Sequence, residues 1–211
     1  MCPVCRAPGA LPFLTVDGRD YGRCGVCEAR FLDPRHYPSL DEERAVYALH
    51  RNDPADPGYR RFAARLAEPL LQRLPPGASG LDFGCGPASA LAALLEDAGH
   101  HVARYDPSFF PDPAPLGCTY AFVAAMEVVE HLHDPAGTFD LLAGLLEPGG
   151  VLAVMTCFQT DDARFARWHY RRDPTHVVFY RRATLAHVAA ARGLAFESPV
   201  KDVAFLRRPA S

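Results

Sequence analysis

The sequence predicts an α/β protein: a mostly parallel sheet with helices on both faces, preceded by a small cysteine-rich ribbon. Three observations carry this. Short apolar runs alternate with helical segments from Gly80 to Thr156, the pattern of parallel strands joined by crossover helices. The first run, Gly80–Phe83, turns through Gly84-Cys85-Gly86 directly into the Ala-rich helical stretch Ala88–Ala98. Two Cys-x2-Cys pairs, Cys2/Cys5 and Cys24/Cys27, stand at the N-terminus with eighteen residues between them.

Each cysteine pair can form a knuckle presenting two thiolates, and four thiolates close a tetrahedral zinc site. The insert carries Asp17-Gly18, a hairpin turn between strands at Leu11–Val16 and Arg19–Arg23. Cys2, Cys5, Cys24 and Cys27 are therefore predicted ligands of a structural zinc ion in a ribbon over residues 1–33. So short a segment builds no core, so the ion would supply its folding energy.

Residues 34–78 read as a helical linker or cap. Ser39, with Glu42 three residues on, opens a capped helix. After the linker Asn52–Gly58, a second helix runs from about Tyr59 to Leu74 with Phe62, Leu66, Leu70 and Leu74 on one stripe. Pro75-Pro76-Gly77 ends it. Tyr47, Tyr59 and Arg60 are candidate ligand contacts, the plainer reading being a covering helix with solvated arginines.

Residues 79–211 hold the sheet. The glycine turn lets backbone approach a ligand closely and aims helix N–H groups at it. Asp82 lies two residues before Gly84, and the next apolar stretch, His101–Tyr105, ends in Asp106. An acid there can accept hydrogen bonds from ribose hydroxyls. Ser89 stands where a dinucleotide fingerprint has its third glycine, which disfavours NAD. A third strand is expected at Tyr120–Ala125, a helix from Asp134-Pro135 to Leu146, and a turn at Pro148-Gly149-Gly150 into a strand at Val151–Thr156. Ligands of such sheets lie beyond the carboxyl ends of the strands, which gathers Gly84, Asp106, Glu127 and the loop after Thr156 on one edge.

Met126–His131 follows the third strand. As one helical turn it would place Glu127, Glu130 and His131 at i, i+3 and i+4 on one face. Two carboxylates and an imidazole there form a candidate divalent-cation site, a solvated polar face being the alternative. Arg164–Tyr180 concentrates Trp168, His169, Tyr170, Arg171, Arg172, His176 and Tyr180, groups suited to a planar or anionic substrate or to core packing.

The Asp82-x-Gly84-x-Gly86 pattern resembles motif I of class I S-adenosylmethionine (SAM) dependent methyltransferases, a resemblance covering about Gly80–Leu194. It implies a Rossmann-like domain with Asp82, Gly84 and Gly86 at the methionine end of SAM, Asp106 at the ribose, and Met126 and Glu127 near the methyl donor. Met126-Glu-x-x-Glu-His-x-x-Asp-Pro135 is similar to the post-strand motif of the ubiquinone-pathway O-methyltransferases. Its Glu-x-x-Glu-His core also resembles the metal motif of the small-RNA 2′-O-methyltransferases, a family with a further histidine before its last helix. His176 occupies the corresponding place. The resemblance thus implies His131 and His176 as catalytic residues, and Glu127, Glu130, His131 and His176 as ligands of a second divalent ion such as Mg²⁺. In one departure from the class, the segment Asp106–Thr119 is short and Pro-rich, so the usual third strand and its adenine-contacting acid are missing or abbreviated.

The net charge of −3 offers no global basic field for a polyanion. No apolar run approaches the ~20 residues of a membrane span, and no signal-peptide pattern opens the chain, so a cytoplasmic protein is expected. Three functions follow. The leading one is methylation of a small-molecule hydroxyl. RNA methylation is the second, and a non-catalytic SAM-binding or zinc adaptor protein the third.

Overall fold

The computed structural model describes residues 1–49 and 53–210. Asn52, the first residue of the expected linker, lies outside the described residues. Strands β1 (Leu11–Val16) and β2 (Arg19–Arg23) pair antiparallel around Asp17-Gly18. Both turn residues have positive φ, 53° and 72°, as a two-residue hairpin turn with the right twist requires. Strand β3 (Arg30–Leu32) pairs with β2. The sheet is then completed from the far end of the chain, by β8 (Val178–Phe179), giving the order β1-β2-β3-β8. The ribbon and the larger domain share a core, in which Cys2, Val4, Cys27 and Leu32 pack in one cluster with Phe139, Val177 and Phe179.

Helix α1 (Leu40–Tyr47) begins with the expected capping box: Ser39 Oγ accepts from Glu42 N–H, and the Glu42 carboxylate accepts from Ser39 N–H. Helix α2 (Pro57–Leu71) is capped by Asp56 and buries Leu66 and Leu70; its stripe meets Leu91 and Leu95 of α3 (Ala90–Asp97) over the sheet.

The six-stranded sheet runs β5-β4-β6-β7-β10-β9. β4 (Ser79–Phe83), β5 (His101–Tyr105), β6 (Tyr120–Met126) and β7 (Leu146–Met155) are parallel. β10 (Val203–Arg207) and β9 (Ala195–Glu197) continue it antiparallel. This is the expected α/β architecture, and it ends at β5: between Asp106 and Tyr120 the described chain makes only a bridge of Asp106 to Phe110 and a short 3-10 turn at Ala114–Gly117. Helix α4 (Pro135–Gly144), capped by Asp134, covers the opposite face. Helix α5 (Arg182–Ala190) follows β8. Pro148-Gly149-Gly150 lies within β7, where Tyr120 pairs with Leu146 and Phe122 with Val151, so the turn is absorbed as a bulge. No helix among the described residues is long and apolar enough to cross a membrane.

Candidate active site

At the carboxyl edge of β4, β5 and β6 opens a cavity of about 700 Å³, within the range of small-molecule and cofactor sites. Its floor is the glycine turn. Gly84 and Gly86 have φ of 71° and 65°, and a Cβ on Gly84 would lie 2.6 Å from Val128. Asp82 is buried, and its Oδ2 accepts from Ser89 Oγ at 2.5 Å while Ser89 caps α3. Burial pushes the Asp82 carboxyl up to about 6. Ser89 thus ties strand to helix where a dinucleotide fingerprint would have glycine.

Asp106 accepts three backbone N–H groups: Gly86 at 3.0 Å, Ser108 at 2.8 Å and Phe109 at 3.1 Å. It draws the glycine turn against the end of β5. A carboxylate has about four acceptor positions, so one stays available toward the cavity it lines.

Met126, Glu127, His131 and His176 line the same cavity. The helical turn expected over Met126–His131 does not form. Glu127 has φ of 53°, and only Val129–His131 winds into a 3-10 turn. The left-handed residue separates the two glutamates: Glu127 lines the cavity, while Glu130 turns into the protein and is fully buried. Tyr170 OH joins them, 3.1 Å from Glu127 Oε2 and 2.5 Å from Glu130 Oε1, and Thr156 Oγ1 lies 3.1 Å from that hydroxyl. Burial raises Glu127 to about 7; burial and then the neighbouring Glu127 raise Glu130 to about 8.

Both histidines are held through Nδ1. His131 Nδ1 lies 3.1 Å from the Thr175 carbonyl and His176 Nδ1 2.7 Å from the Tyr170 carbonyl. A carbonyl only accepts, so each Nδ1 carries a proton, and each Nε2 is turned toward a carboxylate, that of Glu130 for His131 and that of Asp173 for His176, at 3.9 Å in both cases. The rings are 4.6 Å apart. One ligand atom each from Glu130, His131 and His176 falls within 4.8 Å of the others, a set that leaves out Glu127. Glu130 Oε2 is buried without a hydrogen-bond partner.

At the outer end the cavity is closed by α1. Glu43 Oε1 lies 2.9 Å from His133 Nε2, and the Tyr47 ring meets the His131 ring edge-on at 5.5 Å. Tyr47 and Tyr59 line the cavity as expected, whereas Arg60 pairs with Asp97 at 2.7 Å, away from it. Within Arg164–Tyr180 only Asp173 and His176 line the cavity. Tyr180 OH donates to the Val129 carbonyl; Trp168 packs on Phe165 and Phe179; Arg171 reaches into the ribbon. The segment's aromatic and basic groups join two parts of the core more than they face the cavity. Glu43, His133, Phe109 and Asp173 were missed in the sequence. His133 had a signal, two residues after His131 in the same motif; Glu43 had none.

In the ribbon, Cys2 Sγ lies 3.6 Å from Cys27 Sγ and Cys5 Sγ 3.6 Å from Cys24 Sγ, all four within 4.8 Å of one another. Tetrahedral ligands at Zn–S ≈ 2.3 Å stand about 3.8 Å apart, so the cysteines fit zinc. The residue after each second cysteine, Arg6 and Glu28, has φ of 58° and 61°. Both knuckles thus close with one backbone geometry.

A parallel α/β sheet with a glycine turn, an acid at the next strand end and a cavity between them defines a nucleoside-binding protein of the doubly wound class. Residues 56–198 match the family described as a methyltransferase domain, and the chain belongs to that family. The methyltransferase class expected from the Gly84–Gly86 turn is borne out. The chain is similar to the ubiquinone biosynthesis O-methyltransferase of Bradyrhizobium diazoefficiens, 30% identical over 172 residues that cover 70% of this chain and 64% of that protein. It therefore spans less than two thirds of that relative's length. Its fold resembles a Burkholderia thailandensis 1,6-didemethyltoxoflavin-N1-methyltransferase solved with bound 1,6-didemethyltoxoflavin and S-adenosylhomocysteine (TM-score 0.53, 20% identity, 95% of this chain and 100% of that chain). It also resembles an O-methyltransferase family protein from the same organism (TM-score 0.54, 17% identity, 80% and 63%).

Proposed function

We propose that this chain transfers a methyl group from SAM to a hydroxyl of a small molecule. One observation carries the reading: His131 and His176, each held through Nδ1 on a backbone carbonyl, line the cavity that the glycine turn opens. SAM bound there supplies an electrophilic methyl group. Gly84 and Gly86 let the backbone approach its methionine end, Asp82 holds that turn through Ser89, the open acceptor position of Asp106 takes a ribose hydroxyl, and Met126 and Glu127 flank the donor. The protein then aligns the acceptor and removes its proton. His131 Nε2 accepts that proton, and its Nδ1–H bond to Thr175 holds the ring in place.

Among the described residues, the carboxylate residues Glu43, Asp82, Asp106, Glu127 and Asp173 line the cavity together with Arg44. This balance favours an uncharged or cationic acceptor over RNA. The Glu130–His131–His176 set also fits a divalent ion, since each imidazole donates its other nitrogen to a carbonyl, as metal-bound histidines do. Two imidazoles with one carboxylate suit a transition ion better than Mg²⁺. Bound there, such an ion would lower the pKa of adjacent hydroxyls on the acceptor.

The test is methyl transfer from labelled SAM to catechol, a vicinal hydroxyl pair, with SAM affinity measured in parallel. Asp106→Ala should abolish SAM binding. Transfer that survives EDTA while zinc stays bound would remove the second ion, and an absence of SAM binding by the unaltered protein would leave only the adaptor function.

A further inference from the structure

The ribbon reaches the cavity wall by two routes. The first is backbone. Leu32 N–H donates to the Val177 carbonyl at 2.8 Å, and Val177 N–H donates to the Glu130 carbonyl at 2.8 Å. Beside them β3 pairs with β8, Arg30 against Phe179 and Phe31 against Val178. Among the described residues β8 pairs with β3 alone. His176 and Glu130 thus hang on a ladder that starts three residues after Cys27.

The second route is a side chain. Arg171 is buried, donating to Asp17 Oδ2 at 2.7 Å, to Tyr21 OH at 3.3 Å and to the Ala166 carbonyl at 2.9 Å. Asp17 and Tyr21 belong to the ribbon hairpin. The preceding residue, Tyr170, supplies the carbonyl that fixes His176 and the hydroxyl that meets Glu130. Within the fold the Arg171 guanidinium is 3% exposed, so taking away Asp17 alone would leave it buried without its charged partner, which is unfavourable. Ribbon and cavity wall therefore hold or loosen together.

We propose that the cysteine ribbon is a positioning element for methyl transfer, setting the orientation of His176 and Glu130 through Arg171 and the Leu32–Val177 pairing. The proposal rests on the reading of the cavity as the active site. Groups that act on a reacting atom need placement within about 0.5 Å, and His176 draws that precision from a strand whose sheet partner lies in the ribbon.

Two variants of the full, zinc-loaded chain test it. Arg171→Lys keeps the charge and loses the planar fork. Asp17→Asn weakens the pair and preserves the hairpin, since Asn-Gly suits that turn. Trp168 is the only tryptophan and lies at the seam, 5.8 Å from Phe179 and 5.2 Å from Tyr170 by ring centroid, so its emission reports the contact. The expected result for Arg171→Lys is red-shifted emission and loss of the His176 Nδ1–H proton signal in NMR. Catechol turnover should drop about fivefold, with SAM affinity within about twofold and zinc content unchanged (a ΔΔG‡ of about 1 kcal/mol for the fivefold change). Asp17→Asn should move the same signals less far. An unchanged His176 signal in Arg171→Lys overturns the proposal; if that variant does not fold, an unchanged signal in Asp17→Asn does so. Absence of SAM binding by the unaltered protein sinks the enzymatic reading instead and leaves the His176 signal as a separate measure of the brace.

Discussion

Glu43 Oε1 and His133 Nε2 meet at 2.9 Å across 90 residues of sequence, pinning α1 over the outer end of the cavity. The capping box that starts α1 fixes where Glu43 points, and His133 lies in the loop that leads from His131 to α4. The contact ties the covering helix to the segment that carries the proposed base.

Glu43→Gln should loosen that cover and leave the nucleoside end alone. Loss of a charge-assisted contact on this scale costs about 1–2 kcal/mol, or about five- to thirtyfold in KM for catechol. SAM affinity should stay within about twofold. Steady-state kinetics beside calorimetric SAM binding checks this, and equal losses in both would show that α1 braces the whole cavity.

The buried glutamates set a pH dependence. In the fold Glu130 sits at about 8 and Glu127 at about 7, both above an ordinary glutamate. A raised carboxyl binds its proton more tightly folded than unfolded, so this contribution is fully present below the unfolded pKa and is lost as pH rises toward 7 and 8. The slope is about −1.4 kcal/mol per pH unit for each proton held only by the folded state. Metal-free protein should melt at steadily lower temperature from pH 5 to 8.5, and Glu130→Gln should flatten that trend in thermal scans.

Gly84→Ala should damage the nucleoside end selectively. Alanine at a φ of 71° costs about 1–2 kcal/mol, and crowding its Cβ against Val128 at 2.6 Å adds about 1–3 kcal/mol. The turn must shift out of the cavity, so SAM affinity should fall by at least about tenfold. Titration calorimetry reads the loss; wild-type affinity would show that the turn is not the cradle.

Metal analysis of the whole chain should find about one tightly held zinc per chain. Cys27→Ser should release it, because a hydroxyl replaces one of four thiolates whose sulfurs lie within 4.8 Å of one another. Retention of the ion by Cys27→Ser would argue against a four-thiolate centre.

Local rules were legible in the sequence; long-range pairings were not. Asp17-Gly18 specified a hairpin whose strand ends match the structure, and Ser39 with Glu42 specified the start of α1, because each signal acts within four residues. The parallel strands were visible as apolar runs. β3 and β8 were not, being three and two residues long and paired across the chain. Helical spacing misled at Met126–His131, where Glu127 adopts a left-handed backbone that periodicity does not reveal. The site residues gathered by Gly84, Asp106 and His131 came from motifs, whereas Glu43 reached the cavity through tertiary packing alone.

Ending the sheet at β5 leaves the outer side of His101–Tyr105 without a strand among the described residues. Such a row of unpaired N–H and C=O groups invites a second chain to add on. Here Pro107, Pro111, Pro113 and Pro115 follow it, and the turn Ala114–Gly117 lies against β5. Proline has no N–H to donate, so this wrap cannot itself become a strand. The prolines thereby keep that margin of the sheet from being extended by the segment that follows it, and replacing them with β-branched residues would turn it into an adhesive one.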